Sequence, residues 1–80
     1  MKQELRTAQA AIARVVAETQ VAMRAVEAAM SDLNASGTER DRLLAIRNAL
    51  RVSKSGAQDA LRTVEDMLSA IRRREEREAR

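Results

Sequence analysis

The chain has no cysteine, no histidine, no proline and no aromatic residue, and it has only two glycines. Each absence excludes something. Without Cys there is neither a disulfide nor a thiolate ligand, and without His there is no imidazole ligand and none of the usual nucleophile and base pairs. Carboxylate-bridged metal bundles need a Glu-x-x-His pair on facing helices, so that arrangement cannot be built here. No metal and no cofactor are expected. Without Phe, Tyr or Trp there is no platform for stacking single-stranded bases and no interfacial anchor for a membrane surface. No stretch approaches the roughly 18 apolar residues of a spanning helix, and the opening Met1-Lys2-Gln3-Glu4 lacks the apolar run of a secretory signal. The expected location is the cytoplasm.

What is present points one way. Hydrophobic residues make up 45% and charged residues 34%, with Ala, Arg, Glu and Leu prominent, a composition that belongs to long helices and bundles and not to sheets. Eighty residues make one domain, 1–80, and a chain this short buries a marginal core unless something else supports it. With disulfides and metals excluded, association is the support that remains. The Ala and Arg bias is that of a GC-rich bacterial or phage gene. The net charge of +3 is concentrated late: the end of the chain, Arg72 to Arg80, carries five Arg against three Glu. That tail is basic but mixed in sign, and cations near a helix C-terminus are favourable in their own right.

The apolar residues recur every seven positions. In the first half Leu5, Ile12, Thr19, Val26 and Leu33 form one row, Ala8, Val15, Ala22 and Ala29 a second, and Gln9, Val16, Met23 and Met30 a third. Two rows make a seam between two helices; the third widens the stripe beyond a single partner. The second half repeats the design with Leu43, Leu50, Ala57, Val64 and Ile71, beside them Ile46, Ser53, Ala60 and Met67, and one position further on Leu61 and Leu68. Between the halves, Ser31 to Asp41 holds a stop and a restart. Gly37 suits the left-handed residue that ends a helix, and Ser36 with Glu39, or Thr38 with Asp41, has capping-box spacing.

The expected fold is therefore all-α, an antiparallel helical hairpin: helix 1 over about 4–35, a turn at 36–38, and helix 2 over about 39–77, each roughly 50 Å long. A short turn makes facing residues sum to roughly 72 or 73, so Ala22 meets Leu50, Ile12 meets Ala60, and Thr19 faces Ser53 in one polar layer. Two such hairpins make a four-helix bundle. The weak point is Val52-Ser53-Lys54-Ser55-Gly56, where poor helix formers accumulate to about 2 kcal/mol relative to Ala. A break near Ser53 to Gly56 gives the alternative, a three-helix bundle. The seven-residue phase of Leu43, Leu50, Ala57, Val64 and Ile71 passes through that stretch without a skip, which favours one continuous helix.

For function, the acids Glu18, Glu27, Asp59, Glu65 and Asp66 fall away from the seam, where carboxylates are solvated, so no catalytic residue is assigned and no enzyme is expected. The informative set is Val16, Met23, Met30, Leu61 and Leu68, which lie along one edge of the hairpin where a lone hairpin leaves them in water. These are the expected interface residues for a second copy, a homodimer, or for the helix of a protein partner, burying a helix in a groove. A second set, Arg40, Arg47, Arg51 and Lys54, recurs along the first half of helix 2 and supports the alternative of a small basic nucleic-acid-binding helical dimer. In length and outline the chain resembles the hairpin co-chaperones of bacterial type III secretion, which implies covering of a partner's helices. In the same outline it is similar to small plasmid regulators that bind paired RNA loops. Neither resemblance carries a residue role onto this chain.

Overall fold

The computed structural model describes residues 1–32 and 37–79, and they form two helices, α1 (Lys2–Asp32) and α2 (Gly37–Glu78), with no strand among the described residues. The fold is the expected all-α hairpin. Helix α2 is unbroken from Gly37 to Glu78, so the alternative of a third helix starting near Ser55 is overturned. Cumulative propensity cost at Ser53 to Gly56 is spread over one turn, and the apolar phase on either side offsets it. Gly56 keeps a helical backbone with no positive φ, and the space where its Cβ would stand is open.

Gly37 also departs from expectation. It opens α2 and carries no positive φ, so it is not the left-handed end of α1, and Thr38 lies inside the first turn and is not the residue that caps it. A helix's first amides have no intrahelical partner, and a glycine there costs little. Glu39 in that first turn and Arg77 in the last both suit the helix dipole. The Ser36 cap, Leu33 and the end of helix 1 at 35 fall outside the described residues.

The molecule is a rod of 66 × 15 × 14 Å with a radius of gyration of 18.6 Å, against about 11.6 Å for a compact chain of this length. The seam runs along its length. On α1, Leu5, Ile12, Thr19 and Val26 are half-buried, and on α2 so are Leu43, Leu50, Ala57, Val64 and Ile71. Thr19 lies in the seam, but Ser53 is exposed, so the polar layer between them does not form. The Thr19 hydroxyl instead donates to the Val16 carbonyl at 2.9 Å, and Thr7 and Thr63 bond back in the same way to Gln3 and Asp59, each at 3.1 Å. Such bonds satisfy a hydroxyl within its own helix and specify no partner.

At the open end Lys2 Nζ donates to both carboxylate oxygens of Glu75, at 2.9 and 3.0 Å. A facing sum of 72 or 73 pairs Lys2 with Ala70 or Ile71; the long Lys and Glu side chains reach one helical turn further. Both are largely solvated, so the pair is worth at most about 1 kcal/mol.

Candidate functional site: two apolar edges

A helix of this period presents its seam row to the facing helix and one row to each side of it, so an antiparallel hairpin has two long edges. One edge carries Val16, Met23 and Met30 of α1 with Leu61 and Leu68 of α2. All five are half-buried. The hairpin brings the five expected interface residues onto one edge and shelters each in part, more than a row left in water. Around them, Arg47 and Lys54 are half-buried too. The Nε of Arg47 is shielded from solvent and has no hydrogen-bond partner among the described residues.

Shallow hollows mark both ends of this edge. At the open end one is lined by Lys2, Arg6, Gln9, Glu65, Leu68 and Glu75, among others. Near the turn a second is lined by Glu27, Met30, Ser31, Arg40 and Arg47. Each holds acidic and basic side chains around one large apolar residue.

The other edge was not singled out by the sequence pattern. Its α1 row is Ala8, Val15, Ala22 and Ala29, and its α2 row is Ile46, Ser53, Ala60 and Met67. Val15 is 44% exposed, Ile46 48% and Met67 42%. Both rows were expected to complete the seam; on α1 Ala8, Ala22 and Ala29 are half-buried with it and only Val15 is exposed, whereas the α2 row is exposed throughout. The seam leans toward the Met row because the bulk on α2 lies there, in Leu61, Leu68 and the half-buried Leu44, whereas Ser53 and Ala60 offer little volume on the opposite side. The signal that could have identified this edge is that contrast in side-chain volume between the two flanking rows.

The basic set is unequally exposed. Arg40 and Arg51 are exposed, whereas Arg47 and Lys54 are half-buried, and Arg40 and Arg47 line the same hollow. The acids Glu18, Glu27, Asp59, Glu65 and Asp66 are all exposed. Glu4 sits 2.8 Å from the Met1 ammonium, which, with a backbone hydrogen bond, holds its carboxyl below the usual range. Among the described residues no three His, Cys, Asp or Glu side chains group to hold a metal ion, and no helix is long and apolar enough to cross a membrane. No family model matches the chain, and neither the curated proteins nor the solved structures contain a significant match to it.

Proposed function

We infer that this protein is a non-enzymatic helical assembly module, an adaptor, co-chaperone or structural subunit, which self-associates or docks a partner's helix along Val16, Met23, Met30, Leu61 and Leu68. One observation carries the reading: among the described residues no side chain is buried, although 45% of the chain is hydrophobic. Folding must offset roughly 1–2 kcal/mol of backbone entropy per residue, and half-buried side chains recover only part of the roughly 1.5–3 kcal/mol available to each when fully covered. A hairpin in this condition gains most by covering its wider apolar edge. Met suits such a surface, because a flexible thioether adapts to the shape set against it.

The test is Met23→Glu with Leu61→Glu. The expected result is loss of the assembled species, read as solution mass, together with loss of cooperative thermal unfolding. A variant with unchanged mass and an unchanged melting profile would remove the reading, since the edge would then be contributing nothing.

A further inference from the structure

Each edge of the hairpin is formed by two rows from each helix, one beside the seam and one further round. On the Met-row edge these rows carry seven cations against three acids, whereas on the opposite edge they carry three cations against four acids. The wider apolar edge is therefore also the positive one, and its charge is not spread evenly along it.

On α2 a single row runs Arg40, Arg47, Lys54, Leu61, Leu68 and Glu75. Its open-end half is matched from within the chain: Lys2 donates to Glu75, and Gln9 lines the same hollow as Leu68. Its turn-end half is not. Met30 lines a hollow with Arg40 and Arg47, and the same offset between the helices sets Met23 across from Lys54. Arg51 stands on the flanking row, exposed. Against these four cations the two rows of α1 offer one acid, Glu27. Arg40, Arg47, Arg51 and Lys54 make no ion pair among the described residues, and the Nε of Arg47 is shielded from solvent without a hydrogen-bond partner. Half-sheltered cations beside apolar side chains gain more from an arriving carboxylate than fully solvated ones do, because water screens the pair less.

Spacing identifies what carries that carboxylate. Arg40, Arg47 and Lys54 are seven residues apart, hence about 10.5 Å apart along α2 and about 21 Å from first to last. An α-helix laid along the edge repeats at the same interval, so acids on one of its rows meet all three cations while the neighbouring apolar row covers Met23 and Met30. A phosphate backbone has no apolar row to set on the methionines. A second copy of this chain fits no better: its own Met-row edge is positive and would set like charge on like, and no row of the chain has acids at three successive seven-residue positions.

We propose that the turn-end half of the Met-row edge is a docking site for an acidic amphipathic helix of another protein, about 15 residues or longer, whose carboxylates pair with Arg40, Arg47 and Lys54 and whose apolar row packs on Met23 and Met30. The proposal rests on the assembly reading above and selects its occupant. It joins the methionines and the basic set into one surface, with Arg51 at its outer rim.

The experiment titrates the full chain with a synthetic helical peptide of three heptads, Leu at the two seam positions and Glu beside them, and reads the dissociation constant by fluorescence anisotropy. The expected value is about 10–100 µM at about 0.05 M salt, weakening at about 0.3 M. Arg47→Glu with Lys54→Glu is expected to weaken binding by about tenfold or more, and that variant is expected to prefer a peptide with Lys in place of Glu. The gain of the Lys peptide requires a folded variant, so it separates lost charge from lost fold. No binding of the Glu peptide at about 1 mM, equal binding of a peptide with Gln in place of Glu, or a variant that keeps its helical circular dichroism and gains nothing for the Lys peptide would each overturn the acidic occupant. A wild-type dimer at about 100 µM whose mass the peptide leaves unchanged would make the second copy the occupant instead. Tighter binding of a DNA duplex of about 20 base pairs than of the peptide, lost in the same variant, would give the surface to phosphates. The assembly reading falls separately, if the chain has single-chain mass and unfolds cooperatively with no peptide present.

Discussion

The two edges of the hairpin are cut from the same seven-residue period and end in different states. On the Met-row edge the large residues are on both helices, and the seam leans over to shelter them. On the opposite edge α1 offers mostly Ala, α2 interrupts Ile46 and Met67 with Ser53 and Ala60, and the large side chains that remain stand about half exposed. Periodicity places a residue on a face; the volume and charge beside it determine whether that face is worth covering. Isolated apolar residues on a surface are ordinary, which is why Val21 at 64% and Val52 at 73% exposure, each far from the seam, call for no partner.

The contrast can be broken most forcefully from the Met side. Met23→Glu with Leu61→Glu places two charges where the hairpin and its proposed occupant would both need apolar contact, and a loss of several kcal/mol is expected, enough to abolish the cooperative melt followed by circular dichroism. Leu50→Ala addresses the seam that both edges share. A half-buried leucine should cost about 1–3 kcal/mol, less than a fully buried one, and should lower the melting temperature without changing the stoichiometry of the assembly.

Gly56→Ala should act in the other direction. The helical backbone there is compatible with Ala and nothing stands within 4 Å of the added methyl, so a gain of about 0.5–1 kcal/mol is expected from urea unfolding. Smallest of all is Ile46→Gln with Met67→Gln on the opposite edge, expected to change stability by no more than about 0.5 kcal/mol and to leave the mass unchanged. A large loss from this last variant would reverse the ranking of the two edges.

Much of this was legible from residue order alone. The rows through Leu5 and Leu43 name the seam, and the unskipped phase across Gly56 correctly favours one helix over two, because a loop has no reason to conserve a seven-residue count. The five residues of the Met-row edge could be grouped for the same reason. Other features depended on tertiary balance. Val15, Ile46 and Met67 had the right spacing for the seam, and only the unequal bulk of the flanking rows turns them outward. Gly37 carried the commonest signal for a helix end and instead begins one, since glycine tolerates helical φ as readily as left-handed φ. The unequal exposure of the basic set, with Arg40 and Arg51 exposed and Arg47 and Lys54 half-buried, also required the rod's lean, which spacing alone does not contain.

Under the proposed assembly, a rod whose described side chains are nowhere fully sheltered would link its own survival to its abundance. Where folding and association are one event, the unfolded fraction is set by how many copies are present, and proteases act on that fraction. Chains made in excess of their dissociation constant would then persist and chains made below it would be removed. On that reading the thin seam would work as a dosage gate, passing only those molecules that have found something to lie against.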